Sequence, residues 1–144
     1  KDFTKTKDRY DLVSLNDVFE HIPNVISFLN EIGKRSKYVI MHIPLEDCLN
    51  VNIRNLQVNK IVNPGHLLFL NINSALNLIT CSGLKIMTYG YSRDSINAPS
   101  NRSTLLQKLF YPLKKIFIYI NPYLYSKLFG ISAVIIAEGI EAEL

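Results

Sequence analysis

The chain has no glycine before Gly33 and only six in 144 residues. It therefore lacks the Gly-rich loop with which many α/β folds close their backbone around a phosphate or nucleotide. Cysteine is nearly absent too. Cys48 and Cys81 stand alone, with no CxxC pair and no even-numbered framework. Reduced thiols in a cytoplasmic protein fit this usage better than a disulfide scaffold. No long apolar run is available to span a membrane. The best stretch, residues 116–126, is interrupted by Asn121 and Pro122 and falls short of the roughly 20 residues required. The first nine residues are polar and charged, so no signal peptide is expected to open the chain. Acidic residues are slightly outnumbered, at 12 against 16 basic ones, for a formal charge of +4. That balance tolerates an anionic partner without demanding one.

What remains is 48% apolar and 19% charged, the composition of a globular protein comprising one domain or a large piece of one. After a charged lead-in over residues 1–9, Tyr10-Asp11-Leu12-Val13-Ser14-Leu15 reads as a buried strand. It ends in a polar cluster, Asn16-Asp17-Val18-Phe19-Glu20-His21. Doubly wound folds bind ligands at the carboxyl ends of their strands, so this cluster is the first candidate site. Pro23 suits the first turn of a helix whose apolar face is Val25, Ile26, Phe28, Leu29 and Ile32, with Gly33 near its stop. Residues 37–43 form a second strand, apolar enough for a central parallel position covered on both faces, and Pro44 is expected to end its ladder.

An Asn-rich connection over residues 45–63 reads as a long functional or mobile loop. Asn73 is placed to cap a helix carrying Ala75, Leu76, Leu78 and Ile79 that stops at Gly83. Residues 85–91 read as a third strand and 92–103 as a polar loop. Residues 104–129 tend to helix, broken by Pro112 and Pro122, and Gly130 admits a last strand over 131–137. The aromatic residues of 104–129 suit a cap packed over the core. A base-stacking or lipid-interface surface is the other reading of aromatics interleaved with lysine.

The run Tyr-Asp-Leu-Val-Ser-Leu-Asn-Asp-Val-Phe-Glu-His-Ile-Pro over 10–23 resembles the fourth-strand motif of class I S-adenosylmethionine-dependent methyltransferases. Pro64-Gly65-His66-Leu67-Leu68-Phe69-Leu70, followed by a helix and Gly83-Leu84, resembles a later segment of the same family. The resemblance implies a partial Rossmann-like α/β fold. Its sheet would be mostly parallel with a terminal antiparallel strand. Residues 1–144 would be the C-terminal half of the domain, with a helical cap insert at 104–129. The family's Gly-rich cofactor loop belongs to the other half, so this chain alone would be inactive and would bind cofactor weakly or not at all.

The function implied is methyl transfer from S-adenosylmethionine to an oxygen or nitrogen of a small-molecule acceptor. The alternative is a non-catalytic methyltransferase-like binding or scaffold module. Carried over by position, Leu15, Asn16, Asp17 and Val18 would contact cofactor. His21 would be the catalytic base with Glu20 beside it, and His42 and His66 would face the acceptor. Blander roles stand next to these. Asp17 could be only a helix cap, Glu20 could serve the helix dipole, and His42 could be a hydrogen-bonded core residue.

A narrower resemblance links Asp17, Glu20, His21 and His66 to metal-assisted O-methyltransferases that hold a divalent cation on Glu-x-x-Glu-His. Asp17 is shorter than the Glu of that pattern, and no partner could be named to orient either imidazole. The expectation is therefore no tight metal site, with those four residues as weak candidates. As partners, the sequence predicts no nucleic acid and no transmembrane segment, and it leaves a homodimer open.

Overall fold

A computed structural model describes residues 8–92 and 104–140. Four strands form one sheet in the order β1-β2-β4-β3: β1 (Tyr10–Asn16), β2 (Ser36–Leu45), β3 (Lys85–Ser92) and β4 (Ile131–Glu138). The α/β class holds, but the sheet is less parallel than expected. Only β1 and β2 pair parallel, whereas β4 runs antiparallel to both β2 and β3. The last strand is inserted between two earlier ones instead of being added at an edge.

The core follows from alternation on two registered strands. Val39, Met41, Ile43 and Leu45 of β2 lie opposite Ala137, Ile135, Ala133 and Ile131 of β4, and all eight are buried. Large residues face small ones at two of the four steps, which lets the helices approach this face closely. The opposite face is only half-covered, at Ile40, His42, Ile136 and Val134. The two-sided burial expected of β2 is therefore not reached.

β1 departs further from expectation, because only Leu15 in it is buried. It is an edge strand among the described residues, and an apolar run reads the same at an edge as at a centre. Pro44 does not end the β2 ladder either. It lies within the strand opposite Ser132, and pairing continues to Leu45.

Among the described residues, six α-helices connect the strands. α1 (Val25–Gly33) buries Val25, Leu29 and Ile32, and α4 (Ile72–Cys81) buries Ile72, Ala75 and Ile79. Both sets have the 3–4 spacing of an amphipathic helix. The caps lie slightly away from where the sequence put them. Asn24, following Pro23, caps α1. Asn71, not Asn73, caps α4 in a reciprocal capping box with Ser74. Asn71 also donates from its amide to Asp47 at 2.7 Å, and Asn52 does so at 3.1 Å. These two donors hold the Asp47 carboxyl below its usual range. Gly139 is obligatory at the end of β4, since a Cβ there would run into the carbonyl oxygens of Ser36 and Gly33.

Two stretches are more helical than predicted. The expected loop at 45–63 contains α2 (Leu49–Ile53) and α3 (Gln57–Val62). Each is too short for its periodicity to register in the sequence. α5 (Leu105–Ile120) runs through Pro112 without interruption, and α6 (Pro122–Phe129) begins at the second proline. Pro122 takes the first helical position, where its missing N–H is harmless, behind an Asn121 cap. Most of the expected loop at 92–103 lies outside the described residues.

Candidate active site at the strand ends

β1 leaves the sheet at Asn16, and the next residue turns the chain sharply. Asp17 adopts φ +51°, a left-handed conformation that Asp tolerates better than most residues. It is thus neither in a helix nor a helix cap. The following 3-10 turn, Phe19–His21, is led by Val18, which makes no side-chain cap bond. Asp17, Glu20 and His21 do not share one helical face, and the convergence expected of them fails at Asp17. Its carboxylate instead meets Nδ1 of His42 at 2.9 Å. His42 sits opposite Asn16 in the β1–β2 register, and its carbonyl accepts the Asp17 N–H at 3.1 Å. Among the residues expected to touch cofactor, Leu15 is buried, Val18 half-buried, and Asn16 and Asp17 exposed.

The 3-10 turn carries two titratable side chains, Glu20 and His21. Phe19 anchors it in the core at 1% exposure, and this drags Glu20 inside as well, also at 1%. Neither carboxylate oxygen of Glu20 has a hydrogen-bond partner among the described residues. Burial pushes the Glu20 carboxyl above its usual range, against the opposing pull of its own backbone N–H dipole and of His21 and His66. An unpaired buried carboxylate is expensive, so native folds rarely keep one without a use.

Two imidazoles face that carboxylate. Nε2 of His21 and Nε2 of His66 each lie 3.9 Å from Glu20 Oε1. Their rings meet edge to face at 4.9 Å between centroids. Both tautomers follow from the far nitrogens. His21 Nδ1 donates to the Gly65 carbonyl at 3.0 Å, and a carbonyl can only accept. His66 Nδ1 donates to the Glu46 carboxylate at 2.7 Å, and Lys60 holds the other Glu46 oxygen at 2.6 Å. In its neutral form each ring therefore turns an Nε2 lone pair toward Glu20. The loop carrying His66 is fastened to the same turn, because the Glu20 carbonyl accepts the N–H of Leu67 at 2.8 Å and of Leu68 at 3.1 Å.

These three side chains have the donor types of a cation site. One ligand atom from each of Glu20, His21 and His66 can be chosen so that all lie within 4.8 Å of one another. Two neutral imidazoles and a carboxylate suit a borderline divalent ion such as zinc, and the carboxylate also suits the harder manganese. The 3.9 Å separations are about half an ångström wider than a tetrahedral site with bonds of roughly 2.05 Å would need. Both imidazoles already have the orienting partners that metal-bound histidines use, Gly65 and Glu46. The sequence expectation lacked those partners. Glu46 and Lys60 went unseen in it because they fall in the stretch read as loop. The signal available was a lone Glu just beyond the Pro44 strand end.

No family model matches the sequence, and no curated protein matches it. Similarity is found among solved structures. A candidate methyltransferase from Bacillus halodurans C-125 matches with a TM-score of 0.55 at 16% identity, over 94% of this chain and 66% of that one. Magnesium protoporphyrin IX methyltransferase from Synechocystis, solved with bound SAH, matches at 0.51 and 13%, over 96% and 48%. Phosphoethanolamine N-methyltransferase 2 from Haemonchus contortus, solved with S-adenosyl-L-methionine, matches at 0.50 and 11%, over 91% and 33%. The chain thus spans between a third and two-thirds of the length of these structures. At such identities the property shared is the fold, and this fold is that of the class I S-adenosylmethionine-dependent methyltransferases.

Proposed function

We propose that the chain carries the acceptor side of an S-adenosylmethionine-dependent methyltransferase site, acting on an oxygen or nitrogen of a small molecule. The observation that carries this reading is the buried, unpartnered Glu20 carboxylate held between the Nε2 atoms of His21 and His66 at the end of β1. Neighbours of the same fold hold S-adenosyl-L-methionine or SAH, and strand carboxyl ends are where such folds bind ligands.

The sulfonium of the cofactor is already activated, so the protein's task is alignment of the acceptor and removal of its proton. His21 is the more accessible of the two imidazoles, with its side chain 35% exposed against 9% for His66. Its Nε2 is free to accept, because Gly65 fixes the proton on Nδ1. His21 takes the acceptor's proton. Glu20 stabilises the imidazolium that results, and the Glu46–Lys60 pair holds His66 in place. A divalent cation on Glu20, His21 and His66 would supply Lewis-acid polarisation of an acceptor hydroxyl; in that case the same three residues act as its ligands. Asn16 and Asp17, at the exposed lip of the strand, contact the cofactor.

The test is binding of S-adenosylhomocysteine to the complete protein, followed by calorimetry. Replacing Asn16 by Ala is expected to weaken binding about tenfold, the loss of one hydrogen bond to a charged group. Glu20→Gln should leave it within about twofold. Absence of any binding by the complete protein would overturn the reading.

A further inference from the structure

The outer face of α5 has no use in the site above. Leu105, Leu109, Leu113, Ile116 and Ile120 recur at spacings of four, four, three and four, which places them in one stripe along the helix. They are 57–84% exposed. The stripe is about 22 Å long at the rise of an α-helix. Ile118, on the opposite side of α5, is fully buried and fixes which face points outward. Ile118 and Tyr125 pack inward, while the aliphatic face turns to solvent.

Charge is distributed with the same bias. Between Asp94 and Glu138 the chain has no acidic residue and five basic ones. That leaves eleven basic against twelve acidic residues in the rest of the chain, so the whole positive excess resides here. Lys114 and Lys127 lie over the rings of Phe129 and Tyr123, at 4.7 and 5.6 Å from the centroids. Lys108 and Lys115 are exposed and seven residues apart, along one flank of the stripe. No helix among the described residues is long and apolar enough to cross a membrane.

We propose that α5 is a membrane-surface helix that seats its Leu/Ile stripe among the acyl chains of an anionic bilayer, with Lys108 and Lys115 against the headgroups. A helix with one apolar face, lysines beside it and no acidic residue has the chemistry of an interfacial anchor. An apolar stripe this exposed needs cover. A protein partner of ordinary mixed charge would not call for the absence of every carboxylate over more than 40 residues, whereas a negative surface does.

The experiment is co-sedimentation of the complete protein with vesicles of phosphatidylcholine alone, or with about one-third phosphatidylglycerol added. Binding to the anionic vesicles is expected, at least tenfold weaker on the neutral ones and in about 1 M salt, where charge is screened within roughly 3 Å. Leu113→Ser with Ile116→Ser should lower partition tenfold or more while leaving the melting temperature unchanged, because both side chains are solvent-exposed. Lys108→Gln with Lys115→Gln should lower it about 25-fold, near fivefold for each charge. Three results would each overturn the proposal: no binding to anionic vesicles, equal binding by the serine variant, or a dimer in sedimentation analysis that the serine substitutions dissociate.

Discussion

Two acid–histidine groups sit just beyond the end of β1, and they differ in every respect that matters. Asp17 and His42 touch at 2.9 Å, but their side chains are 58% and 31% exposed. Water compensates both, so the pair is satisfied and worth at most about 1 kcal/mol. Glu20 lies 3.9 Å from each of its histidines, with 1% of its side chain exposed and neither oxygen hydrogen-bonded. The shorter contact is the quieter one. An unsatisfied buried carboxylate of this kind is chemically suited to take up a proton, an acceptor or a cation.

The sharpest way to break this contrast is at His21. His21→Ala is expected to lower turnover by about 100- to 10,000-fold, the usual contribution of a general base, with little change in cofactor affinity. Full turnover retained between pH 6 and 9 would make His21 structural. Next in size is a cation. Manganese or zinc at about 100 times its dissociation constant should stabilise the protein by roughly 2.7 kcal/mol. A thermal shift seen in the wild type and lost in both Glu20→Gln and His66→Asn would confirm the site. A shift that persists in both would place the ion elsewhere.

Glu20→Gln itself should raise stability near pH 8 by about 1–3 kcal/mol, because a desolvated charge is removed while the shape is kept. The sign follows from linkage. Burial raises the Glu20 pKa in the folded state, so the folded protein binds its proton more tightly than the unfolded chain. The group's contribution is therefore greatest below the unfolded value of 4.5 and falls as pH rises through the folded pKa. The stability difference between variant and wild type should widen over that same window, as read from urea unfolding at several pH values. The smallest effect belongs to the other pair. Asp17→Asn keeps a residue tolerant of positive φ and should change stability by less than about 1 kcal/mol. A larger loss would mean that Asp17–His42 is more than a surface contact.

Much of the site was legible because its residues are close in sequence. Leu15 to His21 announces a strand end with an acid and a histidine beyond it, and Gly65-His66 is a short motif of its own. What lay hidden depends on tertiary placement. The burial of Glu20 follows from Phe19 being driven into the core, and nothing in the local pattern says which way a three-residue turn will roll. Glu46 and Lys60 support His66 from either side of a stretch whose helices are one or two turns long. The two prolines looked alike in the sequence, yet Pro112 is carried inside α5 and Pro122 opens α6. An edge strand and a central strand can be written with the same letters, which is how β1 came to be expected in the interior.

The placement of β4 has a consequence for how the chain is made. Until residues 131–138 emerge from the ribosome, β3 has no neighbour to join among the described strands, and β2 is paired with β1 alone. The parallel β1–β2 pair and the α4–β3 unit must wait as separate pieces for the stretch that zips them together. Their exposed edges are the species most apt to aggregate, and closure across so many intervening residues is slow. Ile135, buried between Met41 and Tyr89 in the register, is the tooth of that zip. A translation pause placed before it would lengthen the vulnerable interval without altering a single contact in the finished protein.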